Sequence, residues 1–301
     1  MNKSFTLIEI LIVIVIVGIL SSFILVGMSS VTSSASIAKS KAFANSLRNS
    51  LLINLVSEYK LEGNSNDSWG TYNGTNNGAT SISNCVFQSC LSFDGNNDYV
   101  DLGDYDDLPL FWFDNKNWSI FAWIKVNTHN SESCIYALRT GADQDFRIGI
   151  DASNKAYITW VSSPAHPAYS RTTSVASLND QKWHYVGAKR YGDIIVLYID
   201  GLVVGTDSTV GIFDITGNGW FSRWSIGAYR EGCCTTWEAG YWAKFFNGLI
   251  DEVVVYNASL SQSQTQEDYF LGVNNLFKNN GMDSIEYNQR LSQLKNNLIN
   301  N

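Results

Sequence analysis

The first fifty-five residues have a different pattern of apolar and polar positions from the rest of the chain. Residues 5–28 are apolar or small almost without interruption, with one carboxylate, Glu9. Because a helix needs about 20 apolar residues to cross a bilayer, this run predicts a membrane-spanning helix. Apolar residues then recur every four positions from Phe43 to Leu55. That period predicts an amphipathic continuation, so that one helix covers residues 5–55.

From residue 56 to residue 272 the chain consists of short apolar runs separated by Gly, Asn and Asp. The run 118–126 is apolar on both faces and predicts a central strand. Asp200-Gly201 between two apolar runs predicts a hairpin, since a type I′ turn needs positive φ at both positions. Further strands at 224–229 and 249–256 complete a spacing that is typical of an all-β sandwich.

The chain after the last predicted strand is more polar. A short helix is expected to end near Leu271, and residues 273–301 form an Asn-rich tail with Leu291, Leu294 and Leu298 at helical spacing. The predicted fold is therefore a long N-terminal helix, a β-sandwich head and a short helical tail.

Composition narrows the classes of function. Hydrophobic residues make up 45% of the 301 residues and aromatic residues 13%, which excludes a disordered chain. The net charge of −8 makes a nucleic-acid partner unlikely on electrostatic grounds. Three scattered histidines leave little material for a zinc site or a histidine-based triad.

The segment Lys3-Ser4-Phe5-Thr6-Leu7-Ile8-Glu9 resembles the leader of type IV pilins and pseudopilins, the class III prepilins. The resemblance implies that residues 1–4 are a leader peptide, removed by a prepilin peptidase between Ser4 and Phe5. It also implies N-methylation of Phe5. Ser4 stands where the family usually has Gly. An ordinary signal peptide with a cleavage site after Ala38 explains neither Glu9 nor the lack of a cation-rich start.

The resemblance gives Glu9 a role in subunit docking. A carboxylate inside an apolar helix is costly unless it is paired. In a filament it can meet the cationic amine of a neighbouring Phe5, so the implied partners are other pilin subunits. The implied location is the inner membrane before assembly and an extracellular filament afterwards.

The strand-like runs of residues 56–272 resemble laminin-G-like or concanavalin-A-like jelly rolls. The matching segments are Leu91 to Val100, Trp118 to Ile124, Trp183 to Val186, Leu197 to Gly201, and Phe246 to Val253. They occur in the order and at the spacing of that family. A jelly-roll head is therefore expected, with residues 273–301 outside it.

Oxygen-rich loops in the head predict a structural Ca²⁺ site. Asp94 and Asp98 flank a Gly-Asn-Asn turn, and Asp67 lies in a similar loop; Ca²⁺ prefers six to eight oxygen ligands. The family resemblance adds Asp251 from a strand near the C-terminal end of the fold. The alternative is that these residues only form tight turns.

The head carries no glucanase-like carboxylate pair, because no glutamate is followed by an aspartate two residues later. We therefore expect a binding protein rather than an enzyme. Aromatic side chains in loops can stack on sugars or proteins. The candidate ligand contacts are Trp112, Trp220, Trp237 and Trp242.

Cys85 and Cys90 close a short loop, and an exported chain predicts a disulfide between them. Cys134, Cys233 and Cys234 are left. Either one of the adjacent pair reaches Cys134, or all three are free thiols.

The sequence as a whole predicts a pilin-like subunit that displays a jelly-roll domain on a cell-surface filament for adhesion to a glycan or a surface protein. Two alternative functions are consistent with the same helix and head. One is a pseudopilin of a type II secretion or DNA-uptake system. The other is a membrane-anchored lectin-like protein that does not polymerise.

Overall fold

The computed structural model describes residues 51–104, 117–127, 130–139, 145–161, 169–208, 223–231 and 240–300. The chain divides into two compact units, residues 1–52 and 53–301. The predicted helix 5–55, with Ser4, Phe5 and Glu9, lies almost entirely outside the described residues. No helix within the described ranges is long and apolar enough to cross a membrane.

The described part of the second unit begins with strands and ends with two helices. The strands are β1 Leu55–Tyr59, β2 Thr75–Asn77, β3 Thr80–Ser83, β4 Ser89–Asp94, β5 Tyr99–Asp104, β6 Asn117–Val126, β7 Ser133–Arg139, β8 Asp145–Ile150, β9 Lys155–Val161, β10 Tyr169–Ser177, β11 Trp183–Tyr191, β12 Ile194–Ile199, β13 Leu202–Asp207, β14 Arg223–Ile226, β15 Tyr229–Glu231, β16 Tyr241–Ala243 and β17 Asn247–Tyr256. The helices are α1 Gln262–Lys278 and α2 Ser284–Asn300.

The strands form two large antiparallel sheets. The first has the order β13-β12-β11-β6-β17-β4-β3, with β1 also pairing with β17. The second has the order β10-β9-β8-β7-β14-β5-β2, and β15 and β16 form a separate hairpin. One continuous hydrophobic core contains residues from both large sheets. This all-β sandwich agrees with the predicted jelly-roll head.

The central strand of the first sheet is β6, as its two-faced apolar pattern predicts. It pairs with β11 on one side and with β17 on the other. Its Trp118 stacks on Trp160 of the opposite sheet at a ring-centroid distance of 5.9 Å and contacts Phe146 edge-on at 5.2 Å. These aromatic pairs join the two sheets through the core.

The predicted hairpin at Asp200-Gly201 is confirmed, with φ of 52° and 74° at the two positions. The predicted strand 224–229 is two strands, β14 and β15. Gly227, at φ 81°, separates them, and β15 pairs with β16 instead of continuing the sheet. Leu55, predicted as the last residue of the N-terminal helix, is the first residue of β1.

Helix α1 is longer than the sequence predicts. Ser261 and Gln264 form a capping box at its N-terminus. The helix continues through Gly272, which lies against the ring of Trp123: a Cβ there would be 2.3 Å from a ring carbon. Tyr269 stacks on the same indole at 5.6 Å. The glycine therefore permits close packing of the helix on the sheet.

The polar tail forms α2, which packs against the head through Arg290. This guanidinium is buried, at 6% exposure. It donates to the carbonyl oxygen of Trp183 at 2.7 Å and to the hydroxyl of Tyr269 at 3.2 Å, and it pairs with Glu286 at 2.7 Å. The head consequently includes residues 273–300, which the sequence assigned to a separate tail.

Candidate functional site

The outer side of the seven-stranded sheet carries a cluster of charged side chains beside a small buried apolar cluster of Cys134, Ala137 and Tyr229. Phe146, Ile148 and Trp160 point into the core, so the alternating residues of the same strands point away from it. We call this surface the polar face. It carries the side chains of Glu132, Arg139, Asp145, Arg147, Tyr157 and Arg171.

Glu132 is the centre of the charge network on the polar face. Its carboxylate pairs with Arg147 at 3.2 Å, with Arg171 at 2.5 Å and with Lys244 at 2.9 Å. Partial burial opposes ionisation of Glu132, but hydrogen bonds from Lys244 and Arg171 hold its pKa below the usual value. Three cations therefore surround this one carboxylate.

Asp145 and Thr159 lie beside this network. Asp145 is 4% exposed, and one of its oxygens pairs with Arg147 at 2.8 Å. Its Oδ1, the Nε of Arg147 and the Oγ1 of Thr159 are buried and accept or donate no hydrogen bond. Burial raises the pKa of Asp145, opposed by the charges of Arg147 and Arg139. Buried polar atoms are normally hydrogen-bonded, so these three atoms are unsatisfied beneath the charge network.

The β15–β16 hairpin connects the polar face to an aromatic cluster. Tyr229 lies under the guanidinium of Arg147 at 4.8 Å and accepts a hydrogen bond from Arg139 at 2.9 Å. On the next strand of the hairpin, Trp242 stacks on Tyr99 at a ring-centroid distance of 4.2 Å. Arg230 lies 5.7 Å from the centroid of the same indole.

Of the predicted ligand contacts, Trp242 is half-buried, and its ring is already stacked on Tyr99. Trp112, Trp220 and Trp237, the other predicted ligand contacts, lie outside the described residues.

The sequence did not point to Glu132, Arg147 or Arg171 as site residues. Charged residues that alternate with apolar ones in the runs 145–150 and 169–177 are a signal for such a face.

The predicted calcium ligands Asp94 and Asp98 lie in one loop and bond to its backbone. Asp94 accepts from the amides of Asn96 at 2.8 Å and Asn97 at 3.2 Å, and Asp98 accepts from the amide of Asp94 at 2.9 Å. Hydrogen bonding, first from the Asn96 amide, lowers the pKa of Asp94, whereas burial raises that of Asp98.

Asp251 is placed apart from that loop. In the β4–β17 pairing Asp94 faces Asn247, and Asp251 lies four residues further along the strand, at a rise of about 13 Å. The buried Asp251 carboxylate accepts from the amides of Val86 at 2.9 Å and Phe87 at 3.2 Å. Burial raises its pKa to about 7.

Asp67 lies in a third place. Its buried carboxylate accepts from the amides of Glu58, Trp69 and Tyr72. Within the described ranges no three His, Cys, Asp or Glu side chains are grouped so as to hold a metal ion. The four predicted ligands therefore lie in three separate places, where each accepts hydrogen bonds from backbone amides, and calcium binding stays a prediction.

The predicted disulfide between Cys85 and Cys90 is present. The carboxylate of Asp251 accepts from the amides of Val86 and Phe87, which lie in the loop that this disulfide closes. Asn279, at the C-terminus of α1, donates to the carbonyl oxygen of Phe87 at 2.6 Å. Cys134 is a buried free thiol beside the hydroxyl of Tyr157, which agrees with the second of the two cysteine alternatives. Cys233 and Cys234 lie outside the described residues.

His184 is a structural residue in this arrangement. One ring nitrogen lies 2.9 Å from Asp200 and the other 3.0 Å from Asp180. Burial opposes protonation, but the two carboxylates raise the pKa of His184 to about 9. The ring braces the β12–β13 hairpin against β11.

Solved structures that are similar to this chain share its fold at low sequence identity. Domain 4 of AbnA, an extracellular arabinanase of Geobacillus stearothermophilus in complex with arabinotriose, is 16% identical at a TM-score of 0.53, over 72% of this chain and 98% of that one. The binding domain of Paraclostridial Mosquitocidal Protein 1 is 14% identical at a TM-score of 0.56, over 74% of this chain and 53% of that one. A Trypanosoma rangeli sialidase is 15% identical at a TM-score of 0.51, over 72% of this chain and 32% of that one.

The chain spans about half of the mosquitocidal binding domain and a third of the sialidase. At these identities the likeness shows the fold alone. No curated protein sequence matches the chain.

Two family models match separate parts of the chain. The prokaryotic N-terminal methylation motif matches residues 1–25, as the class III prepilin resemblance predicts. The laminin-G-like model described as the concanavalin A-like lectin/glucanases superfamily matches residues 94–266. That match covers more than half of the 301 residues, so the chain belongs to the concanavalin A-like lectin/glucanases superfamily and carries a prepilin methylation motif at its N-terminus.

Proposed function

We propose that this chain is a type IV pilin-like subunit that displays a glycan-binding jelly-roll head on a cell-surface filament. The observation that carries the proposal is the joining of a methylation motif, residues 1–25, to a lectin-like domain, residues 94–266, on one chain. The motif supports processing by a prepilin peptidase, insertion in the inner membrane and assembly with other pilin subunits.

The polar face supports a glycan as the ligand of the head. Sugar hydroxyls both donate and accept hydrogen bonds. Guanidinium groups donate to them and carboxylate groups accept from them, in a fixed geometry. The guanidinium carbon of Arg171 lies 4.1 Å from the centroid of the Tyr157 ring, and an ion pair with Glu132 holds the same group. The similarity to an arabinanase domain solved with arabinotriose supports the same class of ligand.

The proposal is tested with intact filaments. Filaments sheared from cells that express the chain are expected to contain it and to retain a saccharide that subunit-deleted cells do not retain. Arg171→Ala is expected to weaken retention while leaving the amount of subunit in the filaments unchanged. Absence of the chain from filaments contradicts the pilin assignment, and unchanged retention with Arg171→Ala contradicts the role of the polar face.

A further inference from the structure

Trp69 is the most exposed tryptophan among the described residues. Its exposed fraction is 48%, whereas Trp118, Trp160 and Trp224 are at 2% or less. It lies at the tip of residues 64–74, which connect β1 to β2 and which we call the Trp69 loop. This loop precedes the family match at residues 94–266, and the sequence pattern did not select it as a contact.

The Trp69 loop is held rigid by Asp67. The carboxylate accepts from the amide of Glu58 at 3.0 Å, of Trp69 at 3.0 Å and of Tyr72 at 3.3 Å. Asp67 is 7% exposed, so solvent competes little for these bonds. The indole is consequently presented on a fixed backbone, and binding through it costs little ordering of the chain.

Two further contacts close the base of the loop. The hydroxyl of Ser65 donates to the carbonyl oxygen of Gly74 at 2.6 Å, and the amide of Gly74 donates back to Ser65 at 2.8 Å. The hydroxyl of Tyr59 donates to the carbonyl oxygen of Tyr72 at 2.9 Å. The loop is therefore fixed from its base to its tip.

The loop residues around Trp69 are polar and small. Asn66, Ser68, Gly70 and Thr71 are all exposed. One ion pair lies beside the loop: the Glu58 carboxylate accepts a hydrogen bond from the hydroxyl of Ser68 and lies 3.6 Å from the ammonium of Lys60. A protein interface core requires a contiguous apolar patch, which one indole with a polar rim does not provide. A neutral sugar fits this chemistry, because its C–H face stacks on the ring and its hydroxyls reach amide and hydroxyl groups.

We infer that the Trp69 loop is a second saccharide contact of the head, selective for neutral sugar rings. This inference rests on the proposed glycan-binding function and adds a site outside the polar face. The chain carries a net charge of −8, which disfavours acidic saccharides at a site without a free cation. A single stacked ring gives weak binding, and repetition of the loop along a filament raises the avidity.

The inference is tested with the full-length protein in detergent, titrated with cellohexaose, xylohexaose, arabinohexaose and chitohexaose, and with hexagalacturonate as the acidic probe. We expect binding of at least one neutral probe, weakened about tenfold or more by Trp69→Ala. Trp69→Phe is expected to keep most of the affinity. The matched control is Tyr191→Ala, which removes an aromatic ring that is 44% exposed at the end of β11 in the first sheet, and which is expected to bind as the wild type does.

Unchanged affinity in Trp69→Ala overturns the inference, and if Arg171→Ala then loses binding, the proposed function stands without it. Binding of hexagalacturonate alone overturns the selectivity for neutral rings. Failure of the wild type to bind any probe overturns both the inference and the glycan part of the proposed function. Loss of binding to phosphatidylcholine vesicles in Trp69→Ala, without an effect on any saccharide, identifies the loop as a membrane contact and also overturns the inference.

Discussion

Arg290 of α2 donates a hydrogen bond to the main-chain oxygen of Trp183 in β11, at 2.7 Å. This contact joins the C-terminal helix to the central region of the first sheet. Glu286 and Asp200 lie at 2.7 and 3.7 Å from the same guanidinium. The last helix is therefore a part of the folded head.

Replacement of Arg290 by Met is expected to destabilise the head. It removes charged hydrogen bonds from two acceptors and leaves Glu286 with the more distant Lys182, at 3.6 Å, as its charged partner, at a cost of about 2 kcal/mol. For a unit of this size the melting temperature falls by about 4 to 8 °C. Thermal unfolding followed by circular dichroism measures the change. Lys295→Met, at an exposed position of the same helix, is the control, and equal melting of the two variants contradicts the role of Arg290.

Glu252 predicts how the stability of the head depends on pH. It lies at φ 47° where β17 changes partner from β4 to β1. Burial, with the Asp251 carboxylate beside it, raises its pKa to about 9. A carboxyl whose pKa is raised by folding stabilises the fold below its unfolded pKa, and this contribution is lost as the pH rises through the folded pKa. The stability is therefore expected to fall between about pH 4 and pH 9.

Glu252→Gln tests this assignment, because it keeps the shape of the side chain and removes the titration. Denaturant unfolding at pH 5, 7 and 9 is expected to show a smaller decline in stability for the variant than for the wild type. His184, whose pKa is raised to about 9, also loses its contribution as the pH rises. Its effect is common to both proteins and cancels in the difference. Parallel curves contradict the assignment.

Asp67 is expected to stabilise its loop without a metal. Asp67→Ala deprives three amides of their acceptor, and we expect a loss of about 2 kcal/mol, the same in Ca²⁺ and in chelator. Chemical unfolding under both conditions measures it. A loss confined to the calcium-containing samples means that Asp67 acts as a metal ligand instead.

The apolar runs and the Asp-Gly turn predicted most strands of the head, because alternation and turn geometry are local properties. The predicted end of α1 near Leu271 was wrong: the helix runs to Lys278, and Gly272 within it lies against the ring of Trp123, a contact that the local sequence does not show. The Glu132 network was not predicted, since its members come from segments 39 and 112 residues apart, at Arg171 and Lys244. Only strand pairing and the β15–β16 hairpin bring them together.

Glu9 is expected to be required for assembly of the chain into filaments. Glu9→Leu keeps the segment apolar but removes the partner proposed for the Phe5 amine of a neighbouring subunit. We expect normal processing and strongly reduced recovery of the chain in sheared filaments, measured by immunoblotting. Glu9→Asp is the matched variant and is expected to recover part of the incorporation. Wild-type amounts of Glu9→Leu in filaments contradict the docking role.

The identity of the mature N-terminus tests the central claim most directly, because a pilin-like subunit and an ordinary exported protein are cut at different bonds. Mass spectrometry of the N-terminal peptide from the membrane and filament fractions is the measurement. The account predicts that the mature protein begins at N-methylated Phe5. A chain that begins at Lys39, or one that retains Met1 in both fractions, contradicts it.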